Sequence, residues 1–460
     1  MDRPARPRPR RRGTGAHPAR PRRRGGPRVT ELHLARTLSF DDDPATGAAA
    51  VVYHERGAVV VGDDGRIAWA GSAATVPVRW SAALRVDHGE RLLLPGFVDT
   101  HVHFPQWRML AAPGRDLLDW LERFTFREEA RYADRMHAEI AAESFLDRLL
   151  ANGTTCAAAY SSSHAVAAEA LFSAAAGRGM AIATGKTLMD RACPEEVRDD
   201  PEKGIAESAA LIARWHGRDR AIYAITPRFA VTSTETQLRL AGELLRAHPT
   251  CLMQTHLSES VREIETVRAL FPRAASYTDV YDRFGLLGPR SLFGHSIHLD
   301  EAELRRLSAT GSVAVHCPTS NLFLGSGLFD LKRLEASGRP VRVSLATDVG
   351  GGTSWSMLAT CGRAIEIARL TGGDLTATRA LYLATLGGAR ALGLDGEIGR
   401  LTPGCFADFV VLDPRAGEVL ADRDDLSETL EDRLFALAVL GDDRAVTGTW
   451  VAGRRHHSRI

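Results

Sequence analysis

Cysteine is scarce and scattered in this 460-residue chain: Cys156, Cys193, Cys251, Cys317, Cys361 and Cys405 stand far apart, with no CxxC pair among them. That pattern excludes a disulfide framework and a cysteine zinc cage, so any metal must be held by histidine and carboxylate. Long apolar runs are lacking too. Nowhere do about 18 uninterrupted apolar residues occur, as a membrane-spanning helix requires, and the basic start of the chain is followed by no apolar export-signal core. No fixed-period repeat stands out. A phosphate loop is absent as well, because ATGKT at 183–187 has Met180 where the GxxxxGK[ST] pattern needs glycine. Lys186 of that run reads as a structural or solvated residue. A soluble, cytoplasmic protein without a membrane partner is expected.

Residues 1–28 have no aliphatic side chain larger than alanine after Met1, and they hold eleven arginines against one acid, Asp2. Such a segment cannot bury enough surface to offset its ordering entropy and is expected to be disordered. Arginine runs can bind nucleic acid by counterion release. A proline-broken tail reads instead as a solvated extension, and the rest of the chain is mildly acidic, with 47 cations against 56 anions.

What is present suffices for a full core: 44% of residues are hydrophobic, and the length allows two or three domains or one large barrel with an appendage. AVVYHE and GAVVVGDDGRIAWAG read as short strands, the second carrying an Asp-Asp-Gly hairpin signal. From about residue 91 the pattern changes to apolar runs separated by stretches of helical period. Eight runs are candidate strands: RLLLPGFVDTHVH, GTTCAAAY, GMAIATGKTL, AIYAITPRF, CLMQTHLSE, SLFGHSIHL, SVAVHCPTS and VRVSLATDV. Eight βα units over about 260 residues predict an α/β fold with a (β/α)8 TIM barrel. GCFADFVVLDP and AVTGTWVAGRR then return to strand character, which predicts a small β-sandwich domain built from both termini. The expected division is a tail at 1–28, β-domain segments at 29–94 and 399–460, and the barrel at 95–398.

Polar residues gather at the carboxyl ends of the eight runs: Asp99, His101, His103, Arg228, His256, Glu259, His295 and Asp348. In a closed barrel these ends surround one mouth. His101 and His103, two apart on a strand, point to one face and can share a divalent ion. With His256 and Asp348 they make three nitrogens and one carboxylate, a site for Zn²⁺ or Fe²⁺ with an open position for water. His295 could be a fifth ligand or, the preferred reading, a partner of that water. Glu259 could be a proton shuttle at the mouth or merely a first-turn acid of the helix in SESVREIE. His298 and His316 read as hydrogen-bonded framework.

At PGFVDTHVHFPQ (95–106) the sequence resembles the amidohydrolase superfamily, and the wider set resembles its guanine-deaminating branch. That set comprises LLDWLERFTF, ITPRF, QTHLSE, FGHSIHL, HCPTSN, ATDVGGGTSWSM, ATLGGARALGLDGEIG and PGCFADFVVLD, and the resemblance covers nearly everything from about residue 50. It implies one Zn²⁺ per chain on His101, His103, His256 and Asp348. The substrate guanine would be contacted by His103, Gln106, Arg228, Phe229 and His256. Glu259, His295 and Asp348 would carry the proton chemistry of hydrolysis by water to xanthine and ammonia, a step of purine breakdown. A homodimer is also implied. One departure is Thr319, where the family usually has asparagine, and it is expected to alter hydrogen bonds near the mouth.

The chemistry fits on its own terms. Arginine can donate to the O6 and N7 edge of guanine, as it does in DNA, and Gln106 is expected to offer both a donor and an acceptor to the ring. AIYAITPRF holds no lysine of the kind that bridges two metals in binuclear members, so one metal is expected. The rival readings are a related mononuclear amidohydrolase acting on a pterin, triazine or cytosine-like ring, and a non-catalytic scaffold on the same fold.

Overall fold

The computed structural model describes residues 29–459; the expectations for the basic segment 1–28 lie outside them. Eight parallel strands follow in chain order: Phe97–His103, Thr154–Tyr160, Ala181–Gly185, Ala221–Pro227, Leu252–Leu257, Ser291–His295, Val313–His316 and Arg342–Leu345. Each pairs with the next. The circle closes where His103 N donates to Val349 O at 2.7 Å and Asp348 N donates to His101 O at 2.9 Å. All eight runs expected from the sequence are strands of this barrel.

Two of them are subdivided. RLLLPGFVDTHVH breaks at Gly96: residues up to Pro95 belong to the terminal sheet, and only Phe97–His103 enters the barrel. A Cβ on Gly96 would lie 2.1 Å from Thr155 Oγ1, so the chain crosses between sheets where only glycine fits. The third run is interrupted at Lys186, which is buried and held by Asp199 at 2.7 Å and by Glu207 at 3.3 Å. It is a structural ion pair and not a solvated group.

The barrel interior follows from the two-residue period of strands. Cys156 and Ala158, Ala181 and Ala183, Ile222 and Ala224, and Val313 and Val315 form one buried cluster, floored by Ala389, Leu392 and Ile398. On the same face, the second strand ends in Tyr160, two residues past Ala158, and the fifth reaches His256, four past Leu252, through Gln254. Small apolar residues thus fill the lower barrel and polar ones its mouth. Outside, helices such as Arg135–Ala151 and Ala165–Arg178 cover the opposite face, where Ala157, Ala159, Ile182 and Tyr223 pack.

Both termini share one seven-stranded sheet, in the order Arg454–Ser458, Val446–Val451, Phe409–Leu412, Leu84–Pro95, Glu31–Phe40, Val51–Val61 and Ile67–Ser72. The last two are the hairpin signalled by Asp-Asp-Gly. All six cysteines are free. No helix among the described residues is long and apolar enough to cross a membrane.

Candidate active site

His101 and His103 leave the first strand on one face, as their spacing requires. His103 Nε2 lies 3.2 Å from His101 Nε2 and 3.3 Å from His256 Nε2. Asp348 Oδ1 is 3.4 Å from His101 Nε2 and 3.2 Å from His103 Nε2. All four residues are buried. Burial pushes His103 down to about 3 and His256 well below the usual imidazole range, so both rings are neutral. Burial alone would raise Asp348, yet the adjoining His101 and His103 hold its carboxyl well below the usual carboxylate range.

These donors fit a divalent cation. His256 Nδ1 donates to Arg228 O at 2.8 Å, which makes Nε2 the lone-pair nitrogen. Nε2 of His101, Nε2 of His256 and Oδ1 of Asp348 thus crowd one atom, His103 Nε2, whose single proton can serve at most one of them, and Asp348 Oδ1 has no hydrogen-bond partner. A shared cation turns this repulsion into ligation. Cys317 also lies within reach of His101, His295 and Asp348. Burial raises its thiol well above the usual range and Sγ donates to Val315 O, so it remains a neutral thiol.

Glu259 is not a first-turn acid. The helix Val261–Leu270 begins at the N-cap Ser260, and Glu263 closes the capping box, leaving Glu259 outside the helix. Its Oε2 lies 3.4 Å from His295 Nε2, and its Oε1 accepts from Ser326 Oγ at 3.0 Å. Burial, reinforced by the charge of Asp348, pushes its carboxyl up to about 8. His295 is oriented by Asn321, Nδ1 to Oδ1 at 2.9 Å, and its Nε2 is 3.8 Å from Asp348 Oδ2.

The backbone is strained here: Ser258, His295, Ser296 and Asp348 all have positive φ, from 49° to 68°. Each such residue costs of order 1–3 kcal/mol and persists only where its surroundings hold it. Asp348 is held by the closing hydrogen bond to His101 O and by Thr347, which Asp99 anchors through its side chain and backbone.

A pocket opens on these groups. His103, His256, Asp348, Glu259 and His295 line it together with Gln106, Arg228 and Phe229, while Leu117, Trp120, Leu121 and Leu324 supply apolar walls. All the residues expected at the site except His101, which is 1% exposed beneath His103, therefore face one pocket. Gln106 has a partner that the sequence did not show: its Nε2 donates one hydrogen to Glu129 Oε1 at 2.8 Å, while its Oε1 is buried without a partner. Thr319 bonds Thr347 O at 3.2 Å through its hydroxyl. His298 bonds Ser326 O at 2.7 Å as expected, whereas His316 stacks on Phe329 with its Nδ1 left without a hydrogen-bond partner.

Residues 92–455 match the amidohydrolase family. The chain belongs to that family. Among amidohydrolase relatives it is similar to the guanine deaminase of Escherichia coli, 43% identical over 429 residues that span 93% of this chain and 96% of the relative. It is likewise similar to the probable guanine deaminase of Deinococcus radiodurans, 45% identical over 86% of this chain and 92% of the relative. The crystal structure of guanine deaminase from Bradyrhizobium japonicum superimposes with a TM-score of 0.91 at 36% identity, covering 94% of this chain and all of the other.

Glu129, Ser326 and Asn321 escaped the sequence reading of this amidohydrolase site. Asn321 lay in a motif already singled out, HCPTSN, and needed only a partner. Glu129 and Ser326 carry no local signal: one sits on the short helix Phe126–Ala130, the other in the loop after Pro318–Phe323.

Proposed function

We infer that this protein is a guanine deaminase, hydrolysing the 2-amino group of guanine to give xanthine and ammonia, with one zinc ion per chain held by His101, His103, His256 and Asp348. The observation that carries the reading is the shared pocket: a donor set that fits a cation, a buried carboxyl and an arginine–glutamine pair surround one space. When bound, the ion lowers the pKa of a coordinated water toward about 7 and so supplies a nucleophile at neutral pH. Asp348 accepts the proton of the attacking water, and His295, fixed by Asn321, orients that water toward C2. Glu259, whose carboxyl burial pushes up, protonates N3 as electrons move there, takes the proton of the new C2 hydroxyl as the carbonyl forms and hands it to the departing amine as the C2–N bond breaks; the proton that Asp348 took from water then restores Glu259. Arg228 donates to the O6 and N7 edge, Gln106 and His256 hold the ring, and Phe229 packs against it.

The same reading takes the enzyme to be a cytoplasmic homodimer, with a barrel domain at 95–398 and a β-domain of 29–94 and 399–460. It is tested by ammonia release and xanthine absorbance from zinc-loaded protein offered guanine, adenine, cytosine and a pterin, with Glu259→Gln as control. Turnover confined to guanine and lost in the variant is expected. Turnover of another ring instead would reject Arg228 and Gln106 as guanine contacts while keeping the metal chemistry.

A further inference from the structure

We propose that Glu129 sets the polarity with which the pocket reads its substrate, forcing Gln106 to present an acceptor beside the Arg228 donors and so selecting a ring whose edge is a lactam. The proposal rests on the guanine reading and specifies which feature of the ring is recognised.

Glu129 is fully buried, yet the reaction described above does not use it. Its Oε1 accepts from Arg228 Nη1 at 2.7 Å and from Gln106 Nε2 at 2.8 Å, and its Oε2 accepts from the same Arg228 nitrogen at 2.9 Å. A carboxylate paired with a guanidinium is an acceptor only, so the glutamine atom that meets it must be the NH2 group. A glutamine amide is otherwise nearly symmetric, able to turn donor or acceptor toward a ligand. Here the turn of the amide is fixed: one Nε2 hydrogen is held by Glu129, and Oε1, buried without a partner on a side chain that lines the pocket, is left as the acceptor. Gly350 makes room for this arrangement. With φ at 150°, it passes so close that a Cβ there would fall on the Gln106 side chain. Glu129 is itself anchored, since its backbone carbonyl accepts from Ser162 Oγ at 3.0 Å.

The pocket therefore offers an acceptor from Gln106 next to donors from Arg228. A 6-oxopurine presents the complement, a donating N1–H beside an accepting O6. A 6-aminopurine presents the reverse, an accepting N1 beside a donating amine, so both contacts oppose it and two buried polar groups lose their partners. Glu129 is thus a positioning residue, acting through Gln106 and Arg228.

Calorimetry on the zinc-loaded protein with hypoxanthine, 1-methylhypoxanthine and adenine tests the polarity without turnover, because none carries a 2-amino group. Hypoxanthine should bind at least about tenfold more tightly than either of the others. Equal binding of adenine would overturn the proposal. The role of Glu129 is read from Glu129→Gln and from the milder Glu129→Asp, which keeps the charge for Arg228 but shortens the reach to Gln106. In a variant whose thermal unfolding and zinc content match the parent, the hypoxanthine to adenine ratio should fall by about tenfold. The KM for guanine should rise while kcat changes far less, and 2,6-diaminopurine should gain ground as a competing substrate. An unchanged ratio in such a folded variant would refute the assignment. A parent protein that ignores guanine but loses its ring preference on changing Glu129 would refute the proposed function and leave this inference standing.

Discussion

Two buried histidine groups in this molecule differ in one respect that explains their roles. In the terminal sheet, His33 Nδ1 lies 3.0 Å from His88 Nε2, and His33 Nε2 lies 3.0 Å from Glu31 Oε2. Both rings are edged by Trp450. A proton can sit in each of the two gaps, so the chain from Glu31 through His33 to His88 is complete as it stands. At the barrel mouth His256 has spent its Nδ1 proton on Arg228 O, and three groups, Nε2 of His101, Nε2 of His256 and Oδ1 of Asp348, converge within 3.3 Å of His103 Nε2, which holds at most one proton to share among them. A self-satisfied cluster stabilises a fold; an unsatisfied one, held in place by strained backbone, waits for a cation. Proximity of histidines alone does not distinguish them, whereas the bookkeeping of protons does.

The largest test of this contrast is metal removal. Dialysis against a strong chelator should abolish deaminase activity and lower the melting temperature, and zinc should restore both; retained activity in metal-free protein, checked by elemental analysis, would break the comparison. Next, Glu259→Gln should lower kcat by about 10²- to 10⁴-fold with metal content unchanged, because the amide cannot deliver a proton. Arg228→Ala should cost about 3–5 kcal/mol in denaturant unfolding, since it strands Glu129 as an uncompensated buried charge, and it should also raise the KM for guanine. The pH profile gives a subtler effect. Glu259 acts as an acid, so activity should fall as pH rises through a midpoint no higher than about 8, the bound cation drawing the value down from there, and Glu259→Gln should lack that limb.

The smallest effect belongs to the terminal cluster. Burial and the charge of His33 depress His88 from 6.5 to about 4. The unfolded chain therefore binds the extra proton between those values, and stability should decline as pH falls from about 6.5 toward 4. His88→Phe should cost about 1–3 kcal/mol at neutral pH, flatten that slope and leave zinc content and kcat untouched.

Much of this is legible in the sequence alone. The eight strands were readable because each is a short apolar run bounded by turn residues, and the ligands because strand spacing and strand ends decide where side chains point. Glu259 was ambiguous in SESVREIE, since both it and Glu263 could serve a helix start; only the capping box formed by Glu263 freed Glu259 for the pocket. That Gln106 also serves Glu129 is invisible in the sequence. Glu129 lies 99 positions from Arg228 in sequence, on a helix with no marker of its own.

By itself, then, the sequence determined what is local: the alternation of strands and helices, the polar residues at the strand ends and the motifs that mark the family. Only the tertiary structure decided how Glu129, Ser326 and Asn321 divide the available protons among Gln106, Arg228, Glu259 and His295. Periodicity is written into the backbone, whereas a donor or acceptor is assigned only when a buried group meets the one partner that burial leaves it.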